Sequence, residues 1–192
     1  MKRAGLGVLA GVALAAGATH ARGQVVVSGG PPTASAASWA MTPAVSAAGI
    51  APESLLVMDS AQLDALYRGA GPGRVPRGSV RGIPIVTPGK SSGPAASKAA
   101  RLVWQGKVFQ DDGSSAVNRF FGVRAVRGRL YSAPSWLDGR PSLILDYQGT
   151  SLVYGRYRDE IREVSPGLYL GIMYTRAEPT PKFTRYFAFE AR

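Results

Sequence analysis

The segment 158–164, Arg-Asp-Glu-Ile-Arg-Glu-Val, sets acids and bases side by side and is the first place to look for chemistry. Two neighbouring carboxylates split their pKa values, and the one pushed up becomes a general acid. Consecutive strand residues point to opposite faces, so Asp159 and Glu160 cannot form such a pair. Asp159 and Glu163 share a face but lie roughly 13 Å apart along a strand, too far for a retaining glycosidase pair and long for an inverting one. Two uses stay open. The segment is a ladder of cross-strand ion pairs on a solvated face, or it turns Asp159 or Arg162 inward to anchor the polar end of a ligand in an apolar cavity.

Other candidates carry the same double reading. In Ser132–Tyr147, Trp136, Asp138, Arg140 and Asp146 could line a cavity mouth, or Asp138-Gly139 is a hairpin turn with Trp136 packed as core. Trp104, followed closely by Gly106, is either a ligand contact or the plug of a barrel end, with Arg119 or Arg185 stacked over its ring. The candidate ligand-binding set is therefore Trp104, Arg119, Trp136, Asp146, Tyr154, Asp159, Arg162 and Tyr174, with no catalytic residue assigned. The glycine-rich GAGPGRVPRGSVRG lacks both the Gly-Lys-Ser/Thr ending and the strand–helix setting of a phosphate-binding loop. Asp111-Asp112-Gly113 on its own is a turn rather than a calcium loop.

Composition removes several chemistries. There is no cysteine, and the one histidine, His20, falls in or beside an expected leader. Ser-His-Asp catalysis, thiol nucleophiles and His- or Cys-ligated metals are thereby set aside, and no cofactor or metal is expected. The net charge is +11, and removing Lys2 and Arg3 with a leader takes two from it and leaves +9. The arginines of the C-terminal half are spread singly rather than clustered, which argues against nucleic acid. An anionic envelope surface of lipid or polysaccharide is the more natural partner for them.

Along the chain, residues 1–21 read as a cleavable signal peptide. Lys2 and Arg3 open it, Leu6–Ala16 is apolar, and small residues precede a cut after Ala18 or Ala21. The apolar run is too short to span a bilayer comfortably, so an exported protein, periplasmic or extracellular, with no transmembrane span after cleavage is expected. Residues 22–52 read as an Ala/Ser/Gly/Pro tether, 53–100 as a lead-in with one short helix, and 101–192 as a β body whose first strand could begin at 80–86. The helix is expected over Ser60–Arg68, capped by Asp59 or Ser60 and burying Leu63, Leu66 and Tyr67.

From residue 101 short alternating runs are separated by turn signals such as Asp112-Gly113, Gln148-Gly149 and Pro166-Gly167. A turn at Gln148-Gly149 would pair a strand 142–147 with a strand 151–157, Leu145 facing Leu152, and put Leu143, Leu145 and Tyr147 on a core face with Asp146 and Ile144 opposite. A turn at Pro166-Gly167 would set Glu163 opposite Leu170, Ile161 opposite Ile172 and Asp159 opposite Tyr174. A slip of one residue would invert every inward and outward assignment. Such a meander closes into a barrel of the size that encloses one small cavity.

Several motifs together carry a family resemblance: Pro76-x-Gly78-x-x-x-Gly82, Trp104-x-Gly106-Lys107, Asn118-Arg119, the block Ser135–Tyr147 and the closing pair Arg158–Gly171. Over residues 63–190 the chain resembles secreted lipocalin-like proteins of the calycin, GXWXG-like type whose function is unknown, although its first-strand entry lacks their Trp. That resemblance implies a mainly β, antiparallel calycin-like barrel with a cavity. The expectation is an exported protein that binds a small apolar or amphipathic molecule. The alternatives are a carboxylate- or Tyr-dependent enzyme on such a ligand and a structural envelope protein with a basic surface.

Overall fold

The computed structural model describes residues 49–191; the expected signal peptide, and the tether up to residue 48, lie outside the described residues. The alternating runs form nine strands: β1 (Gly78–Ser79), β2 (Arg81–Ile85), β3 (Trp104–Phe109), β4 (Ser115–Phe120), β5 (Val123–Pro134), β6 (Pro141–Asp146), β7 (Tyr157–Ser165), β8 (Leu168–Thr175) and β9 (Lys182–Glu190). Their order is β1-β3-β4-β5-β6-β7-β8-β9-β2, and neighbours run antiparallel. β1 and β2 are two halves of one stretch broken at Val80. One half pairs with β3 and the other with β9, so the sheet curls until its edges meet. This is the mainly β, antiparallel barrel that the sequence leads one to expect.

Strand direction gives the barrel two distinct ends. The turn entering β3, the β4–β5 tip, the β6–β7 loop and the β8–β9 loop open at one end, called upper here. The β3–β4, β5–β6 and β7–β8 connections lie at the lower end.

Helix α1 (Ser60–Gly69) starts at Asp59, whose carboxylate accepts from the Gln62 N–H while the Gln62 side chain accepts from the Asp59 N–H. This reciprocal capping box satisfies two otherwise orphaned donors. Leu63 and Tyr67 of α1, with Leu55 of the 3-10 turn Pro52–Leu56, bury against Ile83, Ile85, Leu168, Leu170, Ile172 and Ala188. The apolar core thus lies between α1 and the outer wall of β2, β8 and β9. A second helix, α2 (Gly93–Ala100), forms in the lead-in for which a single short helix was expected. Pro94 in its first turn and its alanines favour helix despite the Ser and Gly around them. The buried Ser97 hydroxyl accepts from the Val86 N–H at 3.2 Å, joining α2 to the end of β2.

The strand pairing corrects the sequence reading in three places. The β6–β7 connection is a loop, not a two-residue hairpin: Leu145 pairs with Asp159, and no strand forms over 151–156. Leu143, Leu145 and Tyr147 do face the interior, as expected. The β7–β8 hairpin starts in the expected register at Ser165 and Leu168, but a bulge between Glu163 and Ser165 then shifts it by one. Asp159 therefore sits opposite Met173 rather than Tyr174. The hairpin between β4 and β5 turns at Phe121-Gly122, which is not among the turn signals read from the sequence.

The barrel seam depends on two glycines from the Pro76-x-Gly78-x-x-x-Gly82 and Trp104-x-Gly106 motifs. A Cβ on Gly82 would stand 2.6 Å from the Gly106 nitrogen, and Gly106 itself holds φ +123°. Backbone meets backbone there, so neither neighbour can yield. Gly82→Ala is expected to lower the unfolding free energy by about 2 kcal/mol or more, read from urea midpoints. Gly69→Ala, with nothing within 4 Å, is expected to be neutral or slightly stabilising.

Candidate functional site

Alternation along the strands decides which side chains reach the barrel axis. On β3, Lys107 and Phe109 point inward; the facing register puts Asn118 opposite Lys107 on β4. Tyr147, just past β6, and Asp159 on β7 reach the same level from the opposite wall. Lys107, Asn118, Tyr147 and Asp159 are all buried. The Lys107 ammonium donates to Asp159 Oδ2 at 2.7 Å, to Asn118 Oδ1 at 2.9 Å and to the Tyr147 hydroxyl at 3.0 Å, which uses all three of its protons. Tyr147 donates to the same Asp159 oxygen at 2.7 Å and accepts from Asn118 Nδ2 at 2.9 Å. Trp104 Nε1 donates to Asn118 Oδ1 at 3.0 Å.

Aromatic faces surround this network. The Lys107 ammonium lies 4.9 Å from the Phe187 ring centroid and 5.5 Å from that of Trp104. Lys107 thus takes the place over Trp104 expected for Arg119 or Arg185. Toward the lower end the barrel is filled by Phe109, Phe189 and Tyr169, with Tyr169 stacked on Phe189 at 5.0 Å. Toward the upper end Tyr154, from the β6–β7 loop, closes over Phe120 and Tyr147 at 6.1 Å from each. Arg185 lies beside Tyr154 on the inward face of β9, two residues before Phe187 and opposite Met173.

The backbone contributes a strained position here. Val126 sits at the bulge where β4 and β5 shift register and holds φ +64°, unusual for a β-branched residue. Its carbonyl accepts from Asn118 Nδ2, so the bulge aims a backbone oxygen at the network.

Burial pulls the Lys107 amine below its ordinary pKa, against the opposing pull of the Asp159 charge and hydrogen bond. Burial and the Asp159 charge push the Tyr147 phenol well up. Tyr147 is therefore a neutral donor, and the Lys107 and Tyr147 protons are all spent within the network itself.

Of the expected ligand contacts, Trp104, Tyr154 and Asp159 come together in and above this network. The other five lie on the outside. Arg162, completely buried, leaves the wall under α1 and grips Asp138 with two hydrogen bonds of 2.7 and 2.8 Å while donating to the Tyr67 and Arg140 carbonyls. Burial pushes the Asp138 carboxyl up, but the bonds from Arg162 and the Arg140 N–H outweigh it and hold it below its usual range. Trp136 crosses the outer wall edge-on to Tyr174 at 5.7 Å, with the Arg158 guanidinium 4.2 Å from its ring centroid. Asp146 accepts from Tyr131 and Arg176 on the outer face of β6. Arg119 reaches Ser79 and the Gln105 carbonyl beside a shallow concavity of about 140 Å³. The solvated ladder expected for 158–164 is not found either: residues 158–162 are buried, with Glu160 bonded to Ser135 and to the Trp136 N–H. Lys107, Asn118 and Tyr147 were not among the expected ligand contacts; the available signal was a lysine at the inward phase of an apolar strand, two residues from Phe109.

No protein-family model matches the chain, and no curated protein does. A solved structure, a protein from Thermomonospora curvata, is similar at 20% identity over 70% of this chain and 88% of that one, with a TM-score of 0.46.

Removing the ammonium should expose what it balances. Lys107→Met is expected to cost roughly 3–5 kcal/mol, because Asp159 is left charged and buried, and adding Asp159→Leu is expected to restore much of that loss. Because the folded-state pKa of Lys107 is depressed, the folded chain gives up this proton before the unfolded chain does. Stability contributed here rises with pH in the window below 10.5. Denaturant midpoints measured across that window should climb in the native chain and flatten in Lys107→Met.

Proposed function

We propose that this chain is an exported, lipocalin-like binding protein that receives the polar end of a small amphipathic anion at the upper mouth of its barrel. The observation that carries the reading is Arg185. Its Nε is buried and has no hydrogen-bond partner among the described residues, on the inward face beside the Tyr154 ring. A donor buried in that way costs on the order of 1–3 kcal/mol, and an acidic head group docking there recovers it. Below it, the Lys107 ammonium is already neutralised by Asp159, so Arg185 supplies the net positive charge at the mouth. Trp104, Phe120, Phe187 and Met173 offer apolar walls for the rest of the molecule.

The lower half of the barrel is already filled by aromatic rings, so the ligand occupies the mouth and displaces Tyr154 rather than entering a preformed internal chamber. The β6–β7 loop that carries Tyr154, residues 147–156, takes no part in strand pairing, which suits it to move. Export rests on the form of residues 1–21. Among the described residues no helix is long and apolar enough to cross a membrane.

Anilinonaphthalene sulfonate, an aromatic body with one anionic group, is a suitable probe. Titration should show saturable fluorescence enhancement, with Arg185→Gln binding at least tenfold more weakly and Arg74→Gln, at the opposite end, binding as the native chain does. Equal affinity of Arg185→Gln and the native chain would refute the assignment.

A further inference from the structure

The upper end carries a feature that ligand capture at Arg185 does not use. The apical side chains of its loops are apolar and open to solvent: Leu102 is 73% exposed, Phe121 53%, Val123 64%, and Leu152 fully, with Val153 beside it. These residues belong to one rim. The Phe121 N–H bonds the Val103 carbonyl at 2.9 Å, Thr150 Oγ1 bonds the Arg127 carbonyl at 2.7 Å, and the Phe120–Tyr154 ring contact joins the chain neighbours of Phe121 to those of Val153. Single exposed apolar side chains need no explanation, but a set gathered on adjoining loops does.

Phe121 sharpens the point. It holds φ +49° beside Gly122 at +81°, in a two-residue turn where Asn, Asp or Gly adopt that conformation at least cost. A bulky ring held there and more than half exposed gains little packing within the fold to offset the strain.

Charge selects the partner. The same loops carry exposed Arg101, Arg124, Arg156 and, at the start of β9, Lys182; their acid is Glu178, and Arg176 is already paired with Asp146. The lower end is mixed instead, with Arg74, Arg77 and Arg140 set among Asp111, Asp112, Asp138 and Glu163. From this asymmetry we infer that the upper rim docks on an anionic lipid bilayer. Leu102, Phe121, Val123, Leu152 and Val153 enter the interface, and the four cations meet lipid phosphates. Apolar tips with a basic collar bind by burying apolar area and by attraction to anionic headgroups, and both contributions are present here. The inference stands apart from the ligand reading, because it depends on the rim and not on Arg185.

Co-sedimentation of the purified chain with vesicles tests it. Vesicles containing roughly one-third phosphatidylglycerol should retain the chain, at least tenfold more than pure phosphatidylcholine, and high salt should release most of it. Phe121→Asp with Leu152→Asp, and separately Arg124→Glu with Lys182→Glu, should each cut retention at least tenfold. Val75→Asp, an exposed apolar side chain near the lower end, should change nothing. Retention unchanged in the rim variants, or no retention by the native chain at low salt, overturns the proposal. A concentration-dependent dimer that the rim substitutions dissociate, without vesicle binding, overturns it too, since the rim would then pair two copies. Unaltered circular dichroism of the variants excludes misfolding as the cause of a loss.

Discussion

An ammonium and a carboxylate face each other inside this barrel, Lys107 and Asp159, 2.7 Å apart and almost fully enclosed. Burying two charges carries a desolvation penalty that a single contact seldom repays, so the surroundings must supply further hydrogen bonds. Asn118, Tyr147 and the Val126 carbonyl do so, and each needs its own strand in register. β3, β4, β5, β6 and β7 are thus fixed relative to one another by one polar cluster. A slip of β7 by one residue would turn Asp159 outward and bring Arg158 and Glu160 to the axis, away from Ser135 and Trp136. The outer wall adds the reciprocal constraint, because Arg162 reaches Asp138 and the end of α1 only in the observed register.

Strand β7 therefore has two buried faces, and its charges are sorted between them. Inward, Asp159 answers Lys107; outward, Glu160 and Arg162 fasten the β5–β6 loop and α1 to the wall. What looks like a cluster of acids and bases in sequence is a strand whose every charge is matched by a different part of the chain. Polar networks satisfied in this way specify register more than they add stability.

Much of the barrel was legible because alternation of apolar and polar residues is a local signal. The inward set Leu143, Leu145 and Tyr147, the helix from Ser60 and its Asp59 cap could all be read directly. Other features depend on distant partners. The bulge after Glu163 has no mark in the Pro166-Gly167 turn, and it moved the partner of Asp159 from Tyr174 to Met173. The Phe121-Gly122 turn lacks the usual Asn or Asp. Helix α2 was hidden by its Ser, Gly and Pro neighbours. The candidate site was seen only in part: Trp104, Tyr154 and Asp159 were chosen but Lys107 was not, because nothing local says that its counter-charge lies across the barrel.

The two ends of the barrel divide the work between them. Aromatic packing and Arg162 seal and brace the lower part, whereas the upper part joins a buried cation, a loop-borne Tyr154 and an apolar rim. Native mass spectrometry of the protein as purified tests the central claim, capture of a small amphipathic anion at that mouth, most directly. The account predicts a stoichiometric small-molecule adduct on the native chain that Arg185→Gln loses. A native chain that appears only at its bare polypeptide mass, before and after incubation with a lipid extract, would contradict it.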